Sequence, residues 1–309
     1  MSAETGPSGG ASAEPGAAGD RVVVTGAAGQ LGKQVVRAFD AGGWQTLGLA
    51  HDRGDITSKK TMAEIEQWQP DVIVNCAAWT DVDGCARDPD RAMAINGEAA
   101  GRLAESAAAT DAIMVQISTN EVFDGTSKEL YQEDDDPNPI NAYGASKLAG
   151  ERLVAQAAPR HLLVRTAWIF GPGGRNFPGK ILEIARRQAA AGEPVRVVAD
   201  EHGNPTWAPD LAEAIRIAVT AFGSGGVGPG VLHIAGEPPT TRFVWAEAVL
   251  KEVAGVQLVP ISLDQYPRPS RVPPRAVLST ARARALGIPP SDWRPATARY
   301  VSGLLAAVS

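Results

Sequence analysis

The sequence predicts an α/β protein built on a doubly wound parallel sheet, with a smaller C-terminal lobe. Three observations carry this. Short β-branched or apolar runs alternate with segments of helical periodicity as far as Thr166. The first run, Arg21-Val-Val-Val-Thr25, passes straight into Gly26-Ala-Ala-Gly29-Gln30-Leu31-Gly32 and then a helix. After Gly171-Pro-Gly-Gly174 the alternation loosens. With 309 residues, 44% hydrophobic and 21% charged, the chain is long enough to bury a substantial core.

Each element follows from its residues. The β-branched run at Arg21 is a buried strand, and Leu31, Val35 and Phe39 recur behind it at helical spacing. Strand, glycine turn and helix form the Rossmann-type context for a dinucleotide. The glycines admit a pyrophosphate to the backbone, and the helix N-terminus offers it free N–H groups. The second strand, Gln45 to Ala50, ends at His51-Asp52-Arg53, 20 residues beyond Gly32 at Asp52. A carboxylate there suits the ribose 2′-hydroxyl of NAD, whereas Arg53 suits the 2′-phosphate of NADP, so NADH and NADPH both stay open. Asp55-Ile56-Thr57 leads into a helix through Met62, Ile65 and Trp68, stopped by Pro70. Asp71 to Cys76 is the third strand, and Ala77 and Ala78 at its carboxyl end are small enough for a cofactor to lie on the backbone. Asp88-Pro89 reads as N-cap and first residue of a helix running to about Ala109, with Asn96 near its apolar face.

Ala112 to Ser118 is the fourth strand, placing the hydroxyls of Ser118 and Thr119 at the ligand crevice. Tyr131 to Asp136 reads as a solvated acidic loop. Asn141 caps a helix on which Tyr143 and Lys147, four apart, share one face. His161 to Thr166 is the fifth strand and ends near Trp168. Asn176-Phe177 opens a helix, Val195 to Val198 is a strand, Gly203 to Thr206 a turn, and Asp210 caps a further helix. Val231 to Ile234 reads as a strand returning to the sheet. The organisation is therefore a disordered tail over 1–20, a dinucleotide domain over 21–171 with 207–235 returning to it, and a substrate lobe over 172–206 and 236–309.

The bulk properties exclude several functions. A net charge of −6 argues against a nucleic-acid partner. No apolar run reaches the roughly 18–20 residues that span a bilayer, so no membrane partner is expected. Cys76 and Cys85 alone build neither a disulfide scaffold nor a metal site. Cys76 lies in an apolar run as a reduced, packed thiol, which fits the cytoplasm. The first 20 residues carry three acids and no Lys or Arg, unlike a signal or transit peptide.

The motifs together resemble the extended short-chain dehydrogenase/reductase family, and within it the reductases of dTDP-linked 4-keto-6-deoxysugars. The matching stretches are Val24 to Gly32, Asp55 to Thr57, Asn75-Cys-Ala-Ala-Trp79-Thr-Asp-Val-Asp83, Asn96, Ser118-Thr119 and Val122 to Gly125. Tyr143 to Glu151, Val164 to Ile169, Asn176-Phe177 and Gly203 to Thr206 continue the register in order. The resemblance implies Tyr143 as proton donor, Lys147 as ribose ligand and Thr119 as the hydroxyl polarising the substrate carbonyl. It implies a cofactor site of Gly26, Gly29, Gln30, Leu31, Gly32, Asp52, Arg53, Asp55, Ile56, Ala77, Ala78, Trp79, Asn96, Tyr143, Lys147 and Trp168. Thr119, Glu121, Trp168 and Asn176 would meet the sugar, and the assembly to test is a homodimer. A cation one turn from Tyr143 is expected to lower the phenol from its usual value near 10.

One departure stands out. The family usually shows Ser-Thr-Asp-Tyr where this chain has Ser118-Thr119-Asn120-Glu121. The related 4,6-dehydratases resemble Ser-Thr-Asp-Glu there, with Asp and Glu as acid and base. Asn120 has no proton to give a leaving hydroxyl, so reduction is favoured over dehydration. Arg268, Arg271 and Arg275 suit a diphosphate but read first as surface arginines. The competing class is a non-catalytic subunit resembling the regulatory subunit of methionine adenosyltransferase; retention of Thr119, Tyr143 and Lys147 argues against it.

Overall fold

The computed structural model describes residues 20–306, so the tail read as disordered lies outside the described residues apart from Asp20. One sheet of six parallel strands forms its centre: β1 (Arg21–Thr25), β2 (Gln45–Leu49), β3 (Val72–Asn75), β4 (Ile113–Thr119), β5 (His161–Thr166) and β7 (Gly230–His233). The order is β7-β5-β4-β3-β1-β2. From β1 the chain crosses to β2 on one side and then to β3 on the other. That reversal opens a crevice at the carboxyl ends of β1 and β3.

Burial on both faces explains the apolar strands. In β1, Val22 and Val24 pack with Leu31, Val35 and Phe39 of α1 (Gln30–Ala41) and with Leu211 and Ile215 of a later helix. Val23 points the other way, toward Met62 and Ile65 of α2 (Lys59–Trp68). Period-two alternation is thus present although every position is apolar. A polar chain crosses the carboxyl ends of three strands: Thr25 Oγ1 donates to Asn75 Oδ1 at 2.6 Å, and Asn75 Nδ2 to Gln116 Oε1 at 2.8 Å. Buried amides so satisfied fix the strand register.

The helix expected from Asp88 to Ala109 is present and unbroken, but it is not α-helical throughout. It follows a short α3 (Val82–Arg87) and consists of α4 (Pro89–Ala92), a π-helical turn (Met93–Glu98) and α5 (Ala99–Ala109). Asp88 does cap it, accepting from the Arg91 N–H at 3.1 Å. The wide turn lets α6 (Ala142–Ala157) press close: a side chain at Gly150 would overlap the Asn96 carbonyl. The Tyr131–Asp136 loop is solvated at Gln132 and Asp134 to Asp136, as expected, but not at Tyr131 and Glu133. Tyr131 stacks on Phe123 with centroids 4.1 Å apart, and the buried Glu133 accepts the His233 N–H at 3.1 Å.

A second, smaller core follows. β6 (Val195–Val198) pairs in parallel with β8 (Leu258–Ile261). α7 (Phe177–Ala191), α9 (Arg242–Leu250) and the C-terminal helix Trp293–Ala306 pack around Trp245 and Phe170. Between them α8 (Ala208–Gly223) returns to pack on α1, and β7 closes the large sheet. Asp210 does not cap α8: Trp207 precedes the helix, and Asp210, in its first turn, accepts the Ser291 hydroxyl at 2.7 Å. Pro209 beside it suits that first turn, where no intrahelical donor is lost.

Candidate active site

Gly26 turns the chain at φ 64°, and a side chain there would stand 2.7 Å from the Ala77 nitrogen. At Gly32 it would overlap the Gly26 carbonyl. Backbone thus meets backbone where β1 and β3 diverge, and only glycine fits. α1 begins at Gly29 with no side-chain cap and no acid in its first turn. Its N–H groups therefore face the crevice uncompensated.

Two cavities meet at this turn and share Gly29, Cys76, Ala77 and Ala78. One, of 400 Å³, is lined by Gly26, His51, Asp55, Ile56, Trp79 and Arg91. The other, of 530 Å³, holds Gln30, Leu31, Gly32, Thr119, Glu121, Tyr143, Lys147 and Trp168. Asp52 and Arg53 are exposed and line neither, because the turn that brings Gly54 N–H onto the Ala50 carbonyl at 2.6 Å presents His51 instead. Asp55 is occupied in its own turn, accepting the Thr57 N–H and hydroxyl at 2.8 Å each, and these bonds hold its carboxyl below the usual range.

Thr119 ends β4 and Tyr143 lies in the first turn of α6, and both line the 530 Å³ cavity. Burial, and then the Glu121 carboxylate, push the Tyr143 phenol well above its usual value; the nearby Thr119 hydroxyl pulls the other way. This corrects the expected lowering by Lys147. The Lys147 ammonium instead donates to the Ile117 carbonyl at 2.5 Å. Burial lowers it to about 8, against the opposing pull of Glu151. Asn141 caps α6 as the sequence indicates, accepting the Gly144 N–H at 2.7 Å. Burial raises Glu121 to about 7, offset in part by the Asn141 amide that donates to it at 2.7 Å.

The remaining residues divide between wall and scaffold. Asn96 is buried and lines neither of these two cavities. It accepts the Trp79 N–H at 2.8 Å and donates to the Trp79 carbonyl and the Ser146 hydroxyl at 3.0 Å each, tying the Ala77–Trp79 loop to α6. Asn176 caps α7 by accepting the Gly179 N–H at 3.2 Å, while its amide bonds Gln30 Oε1 at 2.8 Å. Trp168 stands in the left-handed region at φ 43°, an uncommon conformation for a bulky residue. The Arg242 guanidinium holds it from one face, 3.6 Å from the ring centroid. Arg242 also pairs with Glu201 at 3.2 Å.

A third cavity of 450 Å³ opens beyond Trp168 and shares Ile169, Arg175 and Arg242 with the 530 Å³ cavity. Arg175, Lys180, Arg196, Arg242 and Arg268 line it with Phe177 and Tyr266. Arg268 is accordingly no free surface arginine: it bonds Asp83, 185 residues earlier, at 3.0 Å. Arg271 is exposed. Sequence reasoning assigned no role to Arg242, which lies in no recognisable motif, or to the buried Glu151–Arg165 pair at 2.8 Å beneath the site. That pair does fall within stretches the motifs marked, but as sequence they carry no sign of facing each other.

Comparison with known proteins agrees with this geometry. The family model described as the RmlD substrate binding domain matches residues 20–305. A dTDP-4-dehydrorhamnose reductase of Burkholderia thailandensis is 38% identical over 93% of this chain and 99% of its own length. One of Mycolicibacterium smegmatis is 37% identical over 94% and 87% respectively. Among solved structures, the dTDP-4-dehydrorhamnose reductase of Bacillus anthracis in complex with NADP superimposes with a TM-score of 0.82 at 29% identity, covering 91% of this chain and 98% of that one. In sequence and in fold, the chain belongs to the RmlD family, within the extended short-chain dehydrogenases/reductases.

Proposed function

We propose that the chain uses NADPH or NADH to reduce the C4 ketone of a dTDP-linked 4-keto-6-deoxyhexose, giving a dTDP-6-deoxyhexose such as dTDP-rhamnose. The observation that carries this reading is the meeting of Thr119, Tyr143 and Lys147 in one cavity wall, beside the glycine turn. The turn fits a dinucleotide: backbone replaces side chains at Gly26 and Gly32, and the uncapped start of α1 faces the crevice. The 400 Å³ cavity would take the adenosine and the 530 Å³ cavity the nicotinamide.

When bound, the reduced nicotinamide supplies the hydride. The chain supplies the proton. Its phenol, raised above the usual value, stays protonated at neutral pH, which is the state a reduction needs from its donor. Tyr143 gives that proton to the C4 oxygen while the Thr119 hydroxyl polarises the same oxygen. Lys147 has three N–H donors and commits one to Ile117, leaving others for ribose hydroxyls. Asn120 serves structure: its amide donates to the Ala276 carbonyl at 2.9 Å, and it has no proton for a leaving hydroxyl.

The cation-lined third cavity suits the substrate diphosphate, with Arg forks meeting phosphate oxygens. Most of its lining falls within 172–206 and 236–309, which supports these as the substrate lobe. Among the described residues no helix is long and apolar enough to cross a membrane. The two free thiols, raised by burial to about 12 at Cys76 and about 11 at Cys85, suit a reducing cytoplasm.

The test is nicotinamide oxidation with dTDP-4-keto-6-deoxysugars and both cofactors, the product identified by NMR. Turnover should fall about 10²- to 10⁴-fold in Tyr143→Phe. An elimination product would favour the dehydratase reading. No turnover with any nucleotide sugar would favour a non-catalytic subunit.

A further inference from the structure

We infer that Glu121 is a specificity-determining residue. Its carboxylate accepts a hydrogen bond from the sugar hydroxyl beside the ketone, and so selects ketosugars that keep this hydroxyl over deoxygenated analogues. The inference rests on the reductase reading above.

Three observations carry it. First, Glu121 shares the cavity wall with Thr119 and Tyr143. The Thr119 hydroxyl accepts the Glu121 N–H at 3.2 Å, the Glu121 charge acts on the Tyr143 phenol, and all three line one cavity, so carboxylate, hydroxyl and phenol are neighbours. A sugar whose C4 oxygen meets Tyr143 therefore brings its adjoining carbons close to Glu121. Of these, C5 carries the ring oxygen, and C3 carries the hydroxyl.

Second, the carboxylate is held in place. Its backbone packs so tightly on α6 that a side chain at Gly144 would overlap the Glu121 carbonyl. Oε2 accepts from Asn141 Nδ2 at 2.7 Å, and that amide is itself tied to the Arg271 carbonyl at 2.8 Å. Third, Oε1 has no hydrogen-bond donor among the described residues. Glu121 is half-buried and lines the cavity, so Oε1 is open to a hydroxyl that enters there in place of water. The nearby cations are taken: Arg242 pairs with Glu201, and Arg268 with Asp83. The remaining groups that sense Glu121, namely Glu201, Cys85 and Tyr143, do not supply one in the structure. A neutral hydroxyl meets the need, and it does so whether the carboxyl, raised to about 7 by burial, is charged or protonated.

The experiment compares a dTDP-4-keto-6-deoxyhexose with its 3-deoxy counterpart, using the wild-type chain, Glu121→Gln and Glu121→Ala. The wild type should favour the hydroxylated sugar by about ten- to a hundredfold in kcat/KM, the range for a hydrogen bond to a charged group. Glu121→Ala should bring the ratio close to unity whatever its effect on the absolute rates, and Glu121→Gln should keep part of it. Binding of dTDP and the thermal midpoint, measured alongside, separate this from misfolding. An unchanged ratio in Glu121→Ala, or no preference in the wild type, overturns the inference while leaving the reductase standing. If the wild type reduces neither sugar, the reductase reading falls and takes the inference with it.

Discussion

Tyr143 and Lys147 show how far a spacing of four residues reaches. It puts both on one face of α6, but the face it gives them is the interior, where burial and not the neighbouring charge dominates both groups. The phenol is thereby kept protonated, while the ammonium sits within reach of losing its proton. Lys147 is charged below about 8 and neutral above it. Cofactor KM should therefore stay level up to about pH 8 and rise above it, as measured by initial rates across pH. A rise beginning only near the ordinary lysine value of about 10.4 would remove Lys147 as the titrating group.

Among elements, the glycine turn and the floor beneath β4 and β5 carry the site. Gly32→Ala forces a methyl onto the Gly26 carbonyl, backbone that has no room to yield. Its expected outcome is loss of dinucleotide binding by about tenfold or more, read by fluorescence titration. Beneath the site, Glu151 takes both the Arg165 fork and the Ser118 hydroxyl, with side-chain exposures of 3% for Glu151 and 4% for Arg165. Glu151→Gln leaves the guanidinium buried without its counter-charge, a loss of about 3–5 kcal/mol by urea unfolding. The elements themselves were largely legible, since strand runs, caps at Asn141 and Asp88 and the glycine turn are local signals. The π-helical turn was not. It accompanies the close packing of Gly150 of α6 on Asn96, a contact made 54 residues apart.

For the whole molecule, stability should depend on acid through His233, which is completely buried on β7. Burial and the nearby Arg165 charge lower it to about 3. Unfolded, it takes up a proton near its ordinary value of about 6.5. The folded state is thus at full advantage above that value and loses it as pH falls toward 3, by up to about 1.4 kcal/mol per pH unit. Thermal melts of wild type and His233→Gln should differ in slope with pH across that window. Parallel slopes would show that His233 contributes nothing.

By itself the sequence determined the parallel α/β architecture, the glycine turn and the trio Thr119, Tyr143 and Lys147, because periodicity, caps and short motifs are written in neighbouring residues. Tertiary structure alone decided that His51, and not Asp52 or Arg53, lines the 400 Å³ cavity, and that Arg268 pairs with Asp83. It also decided that Asn96 braces the Ala77–Trp79 loop, and that Asn176 caps α7 while lining the third cavity. Those outcomes depend on which distant side chain arrives at a given hydrogen-bond donor or charge, and on how much water its arrival removes, and neither quantity is encoded in local spacing.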